Sequence, residues 1–470
     1  MFAGMGVDAT SRRRPNVLVV VADDMGYGDF GLFNDGRSRT PHLNELARRG
    51  LCLTQHYSGS PVCAPARASL LTGRYPHRTG AIDTLHGRGL DRISLSEITV
   101  ADVFRRAGYR TGLVGKWHNG ALDPRFHPNA RGFEEFTGFS GGSSDYWDYV
   151  LDANGSELPG DGRYLTDVLT EHALAFLSRH RREPFFLVVA YNAPHFPMQA
   201  PEALVQPYLD AGETLGAAVT YAMIEAMDAG IGRLDEALDE LGLADDTVVV
   251  FSSDNGPYLG DVYGMSLDRF NFGLRGQKHY VFEGGIRVPA VFRWPGGVDG
   301  GRLVPEMLHF TDWLPTLAGA AGIALPDDVA LDGHDVLGVL RGETGDVDPV
   351  RFWQNNRYDP RIESNAAMRD GDWKLVRPAI PATMTVDEPD RLVDRGLNQR
   401  FDGRVDEIVV APRDEPELGE LPPPFLFDVA QDPFEQRDLA AEHPERVRSM
   451  TAALEAWFDA VEADRRRGAF

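Results

Sequence analysis

Four apolar runs without alternation constrain this chain most: Val17-Leu18-Val19-Val20-Val21, Thr111-Gly112-Leu113-Val114, Phe185-Phe186-Leu187-Val188-Val189 and Thr247-Val248-Val249-Val250-Phe251. A strand with one wet face alternates apolar and polar residues, so a continuous run belongs to a strand covered on both sides. Between these runs, Leu43 to Arg49, Ser96 to Ala107, Thr166 to Arg179 and Thr220 to Leu241 carry apolar residues at helical spacing. The strand-helix-strand rhythm predicts an α/β fold: a large mixed, mostly parallel sheet sandwiched by helices in doubly wound order.

Each run ends in a polar cluster. The first leads into Asp23-Asp24-Met25-Gly26-Tyr27-Gly28-Asp29 and the second into Gly115-Lys116-Trp117-His118. The third leads into Asn192-Ala193-Pro194-His195 and the fourth into Ser252-Ser253-Asp254-Asn255-Gly256. Open α/β sheets bind ligands at the carboxyl ends of their strands, so clusters spread along the sequence should converge on one crevice.

Past residue 345 the pattern changes. Arg351 to Gln354, Ala366 to Val376 and Phe425 to Val429 read as short strands with polar turns, and Asp370-Gly371 suits a hairpin. Leu439 to Asp464 reads as a closing amphipathic helix. Pro389 to Pro424, rich in charge and proline, reads as a long surface loop. The expected organisation is a catalytic α/β domain over 1–345 and a C-terminal α+β subdomain over 346–470, built of a small antiparallel sheet plus a helix.

With 470 residues, the chain is long enough for a large core. Lys and Arg number 47 against 71 Asp and Glu, a balance of −24, which argues against a nucleic-acid groove. An anionic substrate would have to be held by local cations. Two cysteines, Cys52 and Cys63, make no disulfide scaffold. Val17 to Ala22 is too short for a signal core and no run reaches membrane-spanning length, so a cytoplasmic location is the default expectation. Removal of a leader would make it periplasmic or secreted.

The stretch Pro61-Val62-Cys63-Ala64-Pro65-Ala66-Arg67, followed by Leu70-Leu71-Thr72-Gly73-Arg74, reads as a helix start with Cys63 as its cap and Pro65 near the first turn. Unpaired N–H groups and the helix dipole favour an anion there. Arg67, one turn on, would face the same point with a charged fork. An isolated cysteine in such a place is usually a small buried hydrophobe. The pattern Cys-x-Pro-x-Arg then Leu-Thr-Gly-Arg, however, resembles the signature of the type I, formylglycine-dependent sulfatases of the alkaline phosphatase superfamily. Further likeness lies in Asp23-Asp24-Met25-Gly26-Tyr27-Gly28, Gly115-Lys116-Trp117-His118, Ser253-Asp254-Asn255-Gly256, Gly284-Gly285-Ile286-Arg287-Val288-Pro289, and Leu426-Phe427-Asp428 with Asp432-Pro433 and Glu435. Ala66 departs from the serine that many members carry.

The resemblance implies that a maturation enzyme oxidises Cys63 to formylglycine, whose hydrate attacks the sulfur of a sulfate ester. The second hydroxyl then collapses to the aldehyde and releases sulfate. It implies that Asp23, Asp24, Asp254 and Asn255, with an oxygen of the modified Cys63, bind a divalent cation. Their hard oxygens suit Ca²⁺, or Mg²⁺, and not zinc. Arg67, Lys116 and Lys278 would clamp the sulfate oxygens. His195, with Lys278, would protonate the departing alcohol, while His118 and Arg67 orient the hydrate. His42, His56, His77 and His172 read as structural. The expected partner is a sulfated carbohydrate or a small aryl sulfate, with Tyr146, Trp147 and Tyr149 either flanking the crevice or packing in the core. A phosphonate monoesterase or phosphodiesterase of the same superfamily is the first alternative, and a non-catalytic metal-stabilised binding protein the second.

Overall fold

β1 (Asn16–Ala22) holds the predicted first run and lies within a ten-stranded sheet with all seven residues buried. In the computed structural model, which describes residues 14–326, 329–343, 347–399 and 415–468, the strands before β7 are β2 (Leu51–Tyr57), β3 (Arg110–Lys116), β4 (Glu135–Phe139), β5 (Val150–Ala153) and β6 (Ser156–Pro159). β7 (Phe185–Ala190) and β8 (Thr247–Ser253) flank β1, both parallel to it, and β3 lies parallel beyond β7. The four predicted strands are therefore four parallel neighbours, in the order β8-β1-β7-β3.

Register explains why these runs are apolar throughout. Val19 lies opposite Val188 and Val250, and these three join one core cluster with Phe104, Leu71 and Leu314 from helices on that face. Leu18, Val20, Leu187 and Phe251 join the other cluster, with Leu169, Phe176 and Tyr221. Successive side chains alternate between two helical layers, each of which excludes water.

A two-stranded hairpin, β9 (Asp261–Val262) and β10 (Met265–Ser266), interrupts the segment after β8. β11 (Ala290–Arg293) then runs antiparallel to both β8 and β2, while β12 (Arg302–His309) is parallel to β2. Two reversals leave β2 pointing the same way as β1. The chain from β2 thus emerges at the same edge as the ends of β1, β7, β3 and β8, and Cys63 follows it there.

β13 (Val350–Gln354), β14 (Ala366–Asp370), β15 (Trp373–Arg377) and β16 (Phe425–Asp428) form the expected small antiparallel sheet. Gly371 turns the β14–β15 hairpin at φ 57°, a left-handed conformation that glycine adopts without strain. The Pro444–Arg465 helix covers this sheet through Met450, Leu454, Trp457 and Val461.

Element boundaries moved where caps decide them. The predicted 96–107 helix begins at Val100, because Thr99 and Asp102 cap each other's backbone N–H groups. The 220–241 helix starts earlier, at Leu215, after the cap Thr214. The closing helix starts later, at Pro444, where proline at the first helical position costs no hydrogen bond. The predicted 389–424 loop contains a helix, Glu388–Gln399, while residues 400–414 lie outside the described residues, as do residues 1–13. Among the described residues no helix is long and apolar enough to cross a membrane.

The small sheet is tied to the large one by a buried cation between two carboxylates. Lys374 Nζ lies 2.9 Å from Glu283 Oε1 and 2.9 Å from Glu435 Oε1, with all three side chains fully buried. Burial pushes the Glu435 carboxyl up to about 7, with Lys374 pulling it down and Glu283 adding to the rise. Lys374→Met would strand two buried carboxyl groups and should cost about 3 kcal/mol or more, read from the urea unfolding midpoint.

His56 Nε2 accepts the Trp313 indole N–H at 3.0 Å, and an indole only donates, so this ring is neutral. Burial pushes it down to about 3. The unfolded chain takes up that proton near pH 6.5, so between about 6.5 and 3 the unfolded state binds more protons and stability falls as pH falls. Unfolding free energies measured from pH 6 to 4 should slope less steeply in His56→Asn, by about 1.4 kcal/mol per pH unit.

Candidate active site

Cys63 opens the Cys63–Thr72 helix as its first residue. Val62, extended at φ −142°, is the cap, so the predicted cap position is off by one. Pro65 still falls in the first turn, where its missing N–H has no intrahelical partner to lose. The helix packs into the sheet through Ala66, Ala68, Leu70 and Leu71. Its positive end, with the buried Cys63, faces the edge where the parallel strands finish. Cys52 and Cys63 are both free thiols.

Asp23 and Asp24 follow β1, and Asp254 and Asn255 follow the neighbouring β8, so strand pairing alone brings the four together. One oxygen from each of Asp23, Asp24 and Asp254 lies within 4.8 Å of the others, and Asn255 Nδ2 donates to Asp24 Oδ1 at 2.7 Å. A second cluster within the same limit joins Asp23, Cys63 Sγ and His195. Three cations close on these acids. Arg67 meets Asp254 Oδ2 at 2.8 and 2.9 Å, Lys116 meets Asp23 Oδ2 at 2.6 Å, and Lys278 meets both oxygens of Asp24 at 2.7 and 2.9 Å. His195 Nε2 stands 3.8 Å from Asp24 Oδ2.

Glycine permits two of these approaches. A Cβ on Gly115, which sits at φ 106°, would lie 1.9 Å from the Ala190 carbonyl oxygen; its absence lets β3 deliver Lys116 close beside β7. A Cβ on Gly256 would lie 1.9 Å from the Gly284 oxygen, where the Asp254 loop meets the Gly284–Pro289 segment. That segment is a clasp. Gly256 N–H donates to Gly285 O, Ser58 N–H to Ile286 O and Val288 N–H to His56 O, tying the Asp254 loop to the strand that precedes Cys63.

Asp23 Oδ1 and Asn255 Oδ1 are buried without a hydrogen-bond donor among the described residues. Such acceptors beside three carboxylates suit a hard cation, and oxygen donors in this number fit Ca²⁺ or Mg²⁺. The charge balance agrees. Burial pushes the Asp23 carboxyl up to about 8; Lys116 and Arg67 pull it down, while Asp254 and Asp24 add to the rise. Burial also pushes Asp24 up, but Lys278 and His195 outweigh it and hold that carboxyl well below the usual range. Asp24 (φ 66°) and His118 (φ 58°) both occupy the left-handed region, a backbone strain of order 1–3 kcal/mol each that the surrounding contacts must sustain.

Burial, helped by Lys278, holds His195 well below its ordinary value, and burial with Lys116 does the same to His118. His195 Nδ1 donates to the Phe196 carbonyl at 2.9 Å, so its proton sits on Nδ1 and Nε2 faces the acids. His118 has no hydrogen-bond partner on either nitrogen among the described residues. Its ring instead packs on His86, at 4.7 Å between centroids, and His86 Nδ1 is held by Asp91 at 2.8 Å. His86 escaped the sequence reading because it lies in a glycine-rich turn with no repeating pattern around it. Tyr146 and Tyr149 are buried and belong to the core, whereas Trp147 is exposed; Arg131, Phe133 and Phe136 are likewise buried.

The family model described as Sulfatase matches residues 15–323. Steryl-sulfatase of Mus musculus is 31% identical over 94% of this chain and 81% of its own length. N-acetylgalactosamine-6-sulfatase of Homo sapiens is 35% identical over 72% of this chain and 67% of its own. The crystal structure of Ps i-CgsB in complex with k-i-k-neocarrahexaose aligns with a TM-score of 0.78 at 29% identity, covering 95% of this chain and 93% of that one.

A cation bound only by the folded protein raises its melting temperature, by the equivalent of about 2.7 kcal/mol at a hundredfold excess over Kd. Ca²⁺ added to chelator-treated protein should raise the midpoint by several degrees, and Asn255→Ala should remove most of that rise, as read by calorimetry.

Proposed function

The chain belongs to the sulfatase family, and we propose that it cleaves sulfate esters of carbohydrates with formylglycine at position 63 as its nucleophilic residue. It is a sulfuric ester hydrolase. The reading rests on one observation: the Sγ of Cys63, an Asp23 oxygen and a His195 nitrogen lie within 4.8 Å of one another at a helix N-terminus. A nucleophile, a cation ligand and a proton carrier would then meet one tetrahedral anion. The relatives named N-acetylgalactosamine-6-sulfatase and the carrahexaose-bound structure favour a sugar over a simple aryl group.

Formylglycine at residue 63 would, as its hydrate, supply one hydroxyl to bond to sulfur as the bond from sulfur to the alcohol oxygen breaks, and a second whose collapse to the aldehyde would expel sulfate. The dication would be held by Asp23, Asp24, Asp254 and Asn255 together with the modified residue 63, and supplies Lewis-acid polarisation of a sulfate oxygen. The remaining work falls to side chains. Lys116 and Lys278, fixed on Asp23 and Asp24, present N–H groups to the sulfate oxygens. Arg67, committed to Asp254 through two nitrogens, holds that carboxylate beside residue 63. His118, unpartnered at both nitrogens, is free to accept from or donate to a hydroxyl at residue 63. Burial holds His195 well below its ordinary value, and the sulfate's negative charge would favour a proton on Nε2, from which this residue, with Lys278, would serve the leaving oxygen. We assign this chemistry to residues 1–345 and a supporting role to 346–470, and conversion of Cys63 to a separate maturation enzyme.

The test is sulfate release from aryl sulfate and sulfated sugars by protein whose residue 63 has been identified by mass spectrometry. Activity should track the formylglycine fraction, and Cys63→Ser should lose roughly a thousandfold or more in turnover. A faster rate on aryl phosphate or phosphonate esters than on the sulfates would point to phosphorus chemistry, and sustained turnover by unmodified Cys63 would exclude the nucleophile.

A further inference from the structure

Most large apolar side chains among the described residues are buried, and the aromatic ones left exposed share one edge of the sheet. Among the described residues the exposed aromatic ones are Trp147, Phe196, Tyr263 and Tyr280. All four stand on loops that leave the carboxyl edge of the sheet. Trp147 follows β4, Phe196 follows β7, and Tyr263 and Tyr280 lie between β8 and β11. The exposed aliphatic residues, such as Leu32, Leu158, Leu303 and Leu421, show no such confinement.

One of these rings packs beside a group assigned to the leaving oxygen, and a second follows the other such group closely in sequence. Phe196 adjoins His195, with ring centroids 4.2 Å apart and planes inclined by 30°, and is 37% exposed. Tyr280, also 37% exposed, comes two residues after Lys278. His195 and Lys278 both reach Asp24, from different loops. The Phe196 loop is firmly held: Tyr146 Oη donates to both Asn192 O (2.7 Å) and His195 O (3.0 Å), and Gln199 Nε2 donates to Asp145 Oδ2 at 2.8 Å.

We propose that Phe196 and Tyr280 form a carbohydrate subsite on the leaving-group side, stacking against pyranose rings of a sulfated oligosaccharide. The inference rests on the reading of this site as a carbohydrate sulfatase and names where its sugar is gripped. A pyranose offers a C–H face to an aromatic plane while its hydroxyls reach outward to polar groups, here His195 and Lys278. A small aryl sulfate would end inside the crevice and need no planes farther out. Tyr263, 77% exposed on the β9–β10 hairpin, and Trp147 stand on other loops of the same edge, where further sugars of a chain would find aromatic planes.

Steady-state kinetics on tetrasaccharides from chondroitin sulfate and carrageenan, alongside 4-nitrophenyl sulfate, test the subsite. In Phe196→Ala and Tyr280→Ala, KM for a cleaved tetrasaccharide should rise about tenfold with kcat within about threefold. The change on 4-nitrophenyl sulfate should be several-fold smaller. Phe196→Leu keeps the apolar bulk but lacks the flat face, and should not restore KM; restoration would mean packing instead of stacking. Equal losses on both substrates, a larger loss on the aryl ester, or no loss on either would overturn the proposal. So would a wild-type protein that cleaves 4-nitrophenyl sulfate but none of the tetrasaccharides. If wild type cleaves neither ester, the reaction assignment fails separately, and calorimetric binding of the same tetrasaccharides to Cys63→Ala decides the subsite. Adding Phe196→Ala should then weaken Kd by about tenfold, and unchanged or absent binding would reject it.

Discussion

Three buried ion pairs, Arg67 on Asp254, Lys116 on Asp23 and Lys278 on Asp24, hold the site together, and the rest of the structure serves to make them affordable. A charge inside a protein is costly unless an opposite charge and further hydrogen bonds accompany it. Here each cation comes from a different segment: the Cys63–Thr72 helix, the end of β3, and the loop between β8 and β11. No pair is local in sequence, so none can form until the parallel strands are in register. The site is therefore a consequence of the completed sheet and not of any single motif.

The same constraint explains the parts that touch no substrate. Gly115 and Gly256 exist where a side chain would force backbones apart, and the Gly284–Pro289 clasp fixes the loop that bears Asp254 to the strand that precedes Cys63. Glu435, from the late Asp432-Pro433 segment, accepts the Glu283 backbone N–H at 2.7 Å and shares Lys374 with the Glu283 side chain, so the small sheet braces the start of that clasp. Trp353 Nε1, from β13, donates to Ser58 O at 2.7 Å on the approach to Cys63. The C-terminal sheet thus supports the loop that leads into Cys63 from behind.

Electrostatics and solvent exclusion act in one direction. Burial holds both His118 and His195 well below their ordinary value, with Lys116 and Lys278 respectively acting in the same direction. Orphaned oxygens on Asp23 and Asn255 leave coordination capacity that protein donors do not fill. A site so arranged is poised for a hard cation and a tetrahedral oxyanion together, each compensating the other's charge.

Sequence by itself determined the four central strands, because an unbroken apolar run has no stable place except between two layers. It also determined the chemical kinds at the site: hard oxygens, a thiol at a helix start, fixed cations and two histidines. Local spacing could not show that β11 reverses direction and leaves β2 parallel to β1, the fact that brings residue 63 to the acids. Nor could it show His86 against His118, the Glu388–Gln399 helix, or that Tyr146 and Tyr149 are core while Phe196 is exposed. Those depend on contacts between segments far apart along the chain, and such contacts leave no periodic mark in either segment alone.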